Sequence, residues 1–230
     1  MIYRNIFIYL FLLLCLPGIA FCANTKVSKP KDLDNALKAI EKRYQKASFS
    51  ADFFQESTLK AMDMTDIAEG HALFKWPGMM HWTYEKPEKQ MIITNGNDLW
   101  IYRPADHQVM LGKSPDYFGK GKGGSFLTDI SLLRSSFDIS WADEKDIMSN
   151  KIKAPNKLIL LLPHKTVPDF KKLYLVFNPK TGDIKELITL NAYDDKTRIQ
   201  FKNVKFDKKI TDDSFSFKIP DGADVVQLEQ

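Results

Sequence analysis

The segment EGHALFKWPGMMHWTYEKPEKQMIITNGNDLWIYRP, from Glu69 to Pro104, leaves this chain few ways to fold. Turn-forming residues at Trp76-Pro77-Gly78, Lys86-Pro87 and Asn95-Gly96 cut it into short pieces, and large apolar side chains alternate along each piece. A period of two belongs to strands, whose side chains point to opposite faces in turn. On Met79 to Glu85, the side chains of Met80, Trp82 and Tyr84 share one face; on the preceding strand Ala72, Phe74 and Trp76 share a parity. Such a face must be covered, either by a packed core or by an apolar ligand held in a cavity. Methionine favours the second use, because its flexible, polarizable side chain adapts to variable apolar partners. The pattern alone leaves both readings open.

The same alternation recurs along the chain. Strands are read at Phe49–Gln55, Ala68–Lys75, Met79–Glu85, Gln90–Thr94, Leu99–Arg103 and Gln108–Leu111. Beyond the middle they resume at Leu158–Leu162, Leu173–Phe177, Ile184–Ala192, Thr197–Phe206 and Phe215–Ile219. Ahead of them, after a polar linker from Asn24 to Lys31, Asp32 is placed to cap a helix carrying Leu33, Leu37, Ile40 and Tyr44 at helical spacing. Strands in hairpin order, without helices between them, predict an antiparallel sheet that curls strongly or closes into a barrel. One long interruption, Ser114 to Phe137, runs from a glycine-rich loop into an apolar helix with Phe126, Leu127, Ile130, Leu133 and Phe137. It reads equally as a glycine-hinged lid over the concave face and as an ordinary core helix.

Arg4, the 11-residue apolar run Ile6–Leu16, the break at Pro17-Gly18 and the small residues near Cys22 predict a secretory signal over residues 1–22. The run falls short of the roughly 20 residues a membrane-spanning helix needs. Phe21 before Cys22 and Leu14 before Cys15 argue against lipidation, and both cysteines fall within the signal, so no disulfide is expected. Residues 23–230 are read as one domain, long enough to bury a core without staples. The 33 basic and 29 acidic residues are interspersed, which gives no footprint for nucleic acid.

Catalytic patterns are faint. His71, His81, His107 and His164 show no metal-ligand spacing. Gly112-Lys113-Ser114 lacks the glycine of a phosphate-binding loop, which would stand at His107. Gly119, Gly121 and Gly124 match a dinucleotide fingerprint by spacing, with Glu144 beyond, but no βαβ unit surrounds them. No nucleophile elbow occurs. The chain is therefore expected to be no enzyme and to need neither metal nor cofactor; an exported hydrolase of unrecognised type is the enzyme alternative.

Four motifs in order resemble one family. F-x-A-x-F-x-Q at Phe49–Gln55, Gly70 with Pro77, W-x-Y-x-x-P at Trp82–Pro87 and N-G-x-x-L-W-x-Y-x-P at Asn95–Pro104 are similar to the periplasmic outer-membrane lipoprotein carrier family, LolA. The carboxyl end, FSFKIPDGADVV at Phe215–Val226, resembles that family's closing strand and turn. The resemblance implies a mainly β fold, an unclosed barrel with an N-terminal helix and a helical lid over an apolar cavity. It further implies a monomeric periplasmic carrier without chemistry of its own. Such a carrier takes acylated lipoproteins from an inner-membrane ATP-driven release complex and passes them to an outer-membrane acceptor. By position, Met80 and Trp82 match the family's cavity-facing residues, and Leu127, Ile130 and Leu133 its lid helix. Parity adds Phe53, Phe74, Trp76 and Ile92 as candidate acyl-chain contacts. One departure stands out: the family often carries a basic residue, thought to hold the lid shut, where Trp76 stands here. Closure is then expected to rest on apolar packing or on another donor such as Lys75, and Trp76→Arg to alter ligand release more than stability. A lipid- or lipoprotein-sensing module of the same fold is the second alternative.

Overall fold

The computed structural model describes residues 30–118, 125–165 and 171–228. The expected signal and the glycines Gly119, Gly121 and Gly124 lie outside these residues. Helix α1 (Pro30–Tyr44) opens the described chain, and six strands follow as a meander: β1 (Ser48–Leu59), β2 (Met64–Lys75), β3 (Met79–Lys86), β4 (Gln90–Asn95), β5 (Asp98–Arg103) and β6 (Gln108–Lys113). Two short helices, α2 (Ser114–Phe118) and α3 (Leu132–Ser136), lead to β7 (Phe137–Trp141), α4 (Glu144–Ser149) and β8 (Lys157–Pro163). Strands β9 (Lys172–Phe177), β10 (Ile184–Leu190), β11 (Lys196–Phe206) and β12 (Asp224–Gln227) complete it.

All twelve strands join one sheet in the order β12-β6-β5-β4-β3-β2-β1-β11-β10-β9-β8-β7, so β12 and β7 are free edges and the sheet does not close. Two meanders of local hairpins are joined by the non-local pair β1–β11, which aligns Phe53 with Phe201. Every pairing is antiparallel except β12 on β6. Curvature shows in the side chains. Strands lie about 4.8 Å apart, so three intervals separate β3 from β11 by roughly 14 Å in a flat sheet. Yet the rings of Trp82 on β3 and Phe201 on β11 have centroids 6.2 Å apart, and Phe74 on β2 reaches Phe201 at 6.1 Å. The sheet bends toward that face, which is its inner one.

Both outer flanks are covered as well. A 3-10 turn, Asp212–Phe215, packs on β3 and β4 with Phe215 fully buried. Lys75 Nζ donates to the Ile210 carbonyl at 2.8 Å and pairs with Asp212 at 2.7 Å, pinning this strap. On the other flank a second cluster of Ala142, Leu158, Tyr174, Val176 and Ile188 receives Ile147 of α4, and the Tyr174 hydroxyl donates to Asp146 at 2.8 Å.

Several expectations need correction. The stretch Phe126–Phe137 is not one apolar helix: α3 has only five residues, and Phe137 opens β7. Its apolar spacing arises from short turns folded onto the sheet, which also bury residues every three or four positions. Phe215–Ile219 is no strand, because Phe215 closes the 3-10 turn and the sheet is extended by β12 instead. Asp32 lies inside the first turn of α1, since the helix begins at Pro30, whose fixed φ suits a first helical position.

Candidate apolar binding site

The inner face is built from alternate residues of neighbouring strands. β1 contributes Phe49, Ala51 and Phe53, β2 Ala72 and Phe74, β3 Met80 and Trp82, and β11 Phe201, all buried in one cluster. β2 is the floor. Its inner residues Ala68, Gly70 and Ala72 are small, so aromatic rings from β1 and β3 meet across it: Phe53 contacts Trp82 at 5.0 Å and Tyr84 at 4.9 Å, both edge-on. Gly70 is required here, because a Cβ would fall on the Thr83 carbonyl oxygen and press Phe53. Phe74 stacks on Phe49 at 4.6 Å and meets Trp82 at 5.2 Å.

Two roofs cover this face. The first is α1, whose Leu37, Ile40 and Tyr44 are buried. It is fixed to the sheet at several points: the Ile184 N–H donates to the Tyr44 hydroxyl at 3.1 Å, Arg43 donates to Asp183 at 2.9 Å, and Gly182, at φ +75°, lies against the Ala39 carbonyl where a Cβ would not fit. Burial pushes the Tyr44 hydroxyl pKa up to about 12, so this anchor stays protonated. The second roof is the segment 125–136, which places Phe126, Leu127, Ile130 and Leu133 in the same cluster, each at most 5% exposed. It is held to α1 through Arg134, whose guanidinium pairs with Glu41 and donates to Asp34 at 2.9 Å. The hydrogen bonds that Arg134 donates to Glu41, and then to Asp34, raise its pKa further. Packing apart, the second roof is tied to α1, among the described residues, through the solvent-facing ion pairs of Arg134, whereas the first is locked into the β9–β10 turn.

The structure brings Phe53, Phe74, Met80 and Trp82 together beneath Leu127, Ile130 and Leu133, with Ile92, partly buried and paired with Trp82, packed at the margin. Trp76 is the exception. β2 ends at Lys75, alternation ends with it, and Trp76 sits in the turn, 39% exposed, with Lys46 Nζ 5.2 Å from its ring centre. In this structure it stands outside the apolar cluster of the inner face. Lys75 is excluded as a lid donor, because it serves the strap on the outer face. Sequence parity missed Phe201, whose role depends on the β1–β11 pairing, and Arg134, which no local pattern marks.

The four histidines have other duties. His81 and His107 bond the carbonyls of Ser214 and Asp221 at 2.8 and 3.2 Å, fastening the carboxyl-terminal segment. His164 faces Asp138 at 3.2 Å, and His71 faces Asp52 at 2.6 Å on the outer surface, where Asn203 and then His71 hold the Asp52 carboxyl below its usual range. Among the described residues no group of three or more His, Cys, Asp or Glu side chains is arranged to hold a metal ion.

Known proteins resemble this chain in sequence and in fold. An outer-membrane lipoprotein carrier protein of Nitrosomonas europaea is 25% identical over 194 residues, covering 84% of this chain and 89% of that protein. One from Pseudomonas putida strain GB-1 is 25% identical over 217 residues, covering 94% and 97%. Among solved structures, an uncharacterized conserved protein from Thermus thermophilus superposes with a TM-score of 0.54 at 11% identity over 85% of this chain and 99% of its own, a likeness of fold. The family description "Outer membrane lipoprotein carrier protein LolA" matches residues 45–218, from just ahead of β1 to just beyond the strap's 3-10 turn, and the chain therefore belongs to the LolA family.

Proposed function

We propose that this protein is a periplasmic carrier that shields the acyl chains of lipoproteins released from the inner membrane by an ATP-driven complex and delivers them to an outer-membrane acceptor. The observation that carries this reading is the continuous apolar inner face, from Phe53 and Phe74 to Met80 and Trp82, roofed by a short segment with few fixed attachments. Membership of a family described as carriers supports it.

Magnitudes fit an exchange of covers. Burying Phe126, Leu127, Ile130 and Leu133 contributes roughly 1.5–3 kcal/mol each, about 6–12 kcal/mol together, and this is an upper range. An acyl chain of about 14 methylenes at roughly 0.8 kcal/mol each contributes on the order of 11 kcal/mol. An acyl chain entering as the roof swings away replaces one apolar cover with another of similar worth. The carrier then holds its cargo with intermediate affinity, and direction comes from energy spent at the donor and from the acceptor's match to the cargo. No bond is made or broken.

The test is release from spheroplasts making lipoproteins. Purified protein is added, and the soluble fraction is probed for an acylated lipoprotein bound to it, beside Trp82→Glu, which places a carboxylate in the inner face. A soluble complex with the parent protein and none with the variant is expected. No complex with folded parent protein and competent donors would overturn the reading.

A further inference from the structure

The inner face changes character along its strands. Next to the row of Phe53, Trp82 and Phe201, which is buried, comes Tyr84, and then Gln55, Ser57 and Thr197, all half-buried and all on the inner parity. These four side chains are joined: the Tyr84 hydroxyl donates to Gln55 Oε1 at 3.1 Å, Gln55 Nε2 donates to Ser57 Oγ at 3.1 Å, and Ser57 Oγ lies 3.5 Å from Thr197 Oγ1. The belt crosses three strands because β2 offers only Ala68 and Gly70 between them. Tyr84 belongs to both zones. Its ring lies against Phe53, while burial raises its hydroxyl pKa to about 12 and keeps it a donor.

The belt is neutral. Glu56, Glu85, Lys196 and Arg198, adjacent to it in sequence, carry the opposite parity, and Glu56, Lys196 and Arg198 line an outer pocket with Lys151. Among the described residues, the one inner-parity charge beside the belt is the exposed carboxylate of Asp66, opposite Ser57, which offers an anion no counter-charge. The belt's internal bonds leave capacity unspent: the second Nε2 hydrogen of Gln55, the second lone pair of Oε1, and a hydroxyl hydrogen of the Ser57–Thr197 pair. Such groups match carbonyl oxygens and hydroxyls, and they offer no counter-charge to a phosphate or carboxylate. The step from Phe53 to Gln55 is two residues, roughly 7 Å, so a chain lying in the apolar zone would bring its polar end to the belt.

We propose that Tyr84, Gln55, Ser57 and Thr197 form the subsite for the ester and amide carbonyls at the head of an acylated peptide, selecting that head from a bare alkyl chain. This rests on the carrier reading and names the part of the cargo that the apolar zone does not discriminate. Half-buried polar groups that a ligand cuts off from water are the basis of such selection, since a ligand lacking the matching carbonyls leaves them unsatisfied.

Two probes separate the claims: a synthetic diacyl lipopeptide and an uncharged pyrenyl alkane, each titrated by fluorescence against the mature protein. The variants are Gln55→Leu, which breaks the belt at its centre, and Tyr84→Phe, which removes one hydroxyl and keeps the ring. Lipopeptide affinity is expected to fall about 10-fold in Gln55→Leu and about 3-fold in Tyr84→Phe, with pyrenyl alkane affinity unchanged. Should Gln55→Leu fail to fold, Tyr84→Phe decides the matter by the same comparison. Lipopeptide affinity unchanged in a folded variant, or an equal loss for both probes, overturns the subsite. Failure of the parent protein to bind either probe overturns the carrier reading and the subsite with it.

Discussion

Arg134→Ala removes the side chain whose ion pairs tie the 125–136 segment to α1, and leaves the apolar contacts of that segment in place. The guanidinium meets the Glu41 carboxylate through Nε and through Nη2, the latter at 3.4 Å, with Arg134 43% and Glu41 29% exposed. Solvent at that exposure limits the Glu41 pair to about 0.5–1 kcal/mol, and the Asp34 pair, more exposed on its acidic side, contributes little. If the closed state predominates, a loss of that size raises the open population about two- to fivefold, and the apparent affinity for an apolar probe rises by the same factor. Titration with a pyrenyl alkane at low ionic strength reads this directly. Raising the salt concentration should tighten binding to the parent protein and leave the variant nearly unmoved, because salt screens exposed pairs. An unchanged apparent affinity in Arg134→Ala at low salt, with the thermal midpoint lowered, would refute the argument: the pair would then stabilise the fold without restraining the roof.

Gly70→Ala should be the most damaging small change on the inner face, since its Cβ meets the Thr83 backbone and not a side chain that can turn aside. A loss of about 2–3 kcal/mol by urea denaturation is expected. Trp76→Arg, at an exposed turn, should leave probe affinity and lipoprotein hand-off within about twofold of the parent, as surface substitutions do; a larger change in hand-off kinetics would return Trp76 to the site. The carboxyl of Asp194 is held at about 2 by hydrogen bonds from Lys171 and then Lys60, below its ordinary 3.8. A lowered folded-state pKa stabilises above the unfolded value and is lost as pH falls through the folded one. The thermal midpoint of Asp194→Asn should therefore lie below that of the parent at pH 6 and meet it near pH 2; a gap that persists at pH 2 would show another cause.

The local order of this protein was legible because its sheet is two meanders of hairpins. Turn residues such as Trp76-Pro77-Gly78 and Asn95-Gly96 mark strand ends, and period-two alternation places Phe53, Phe74, Met80 and Trp82 on one face without knowledge of their partners. Alternation misled where a strand stopped. Trp76 keeps the parity of Phe74 yet lies beyond Lys75, where the pleat no longer fixes direction. The apolar spacing of 126–137 likewise could not separate one helix from a series of turns, since both bury residues three or four apart.

By itself the sequence determined the alternation, the turns and the small residues of β2, because these act through neighbours along the chain or on the next strand of a hairpin. Only the tertiary structure decided which faces meet. The β1–β11 pairing joins residues about 150 positions apart, bends the sheet until Phe201 reaches Trp82, and brings Thr197 into line with Ser57 and Gln55. Likewise, Arg134 finds Glu41 across 93 positions. Contacts of that span leave no periodic trace in the sequence, since their geometry is set by the closure of the whole sheet and not by any one segment of it.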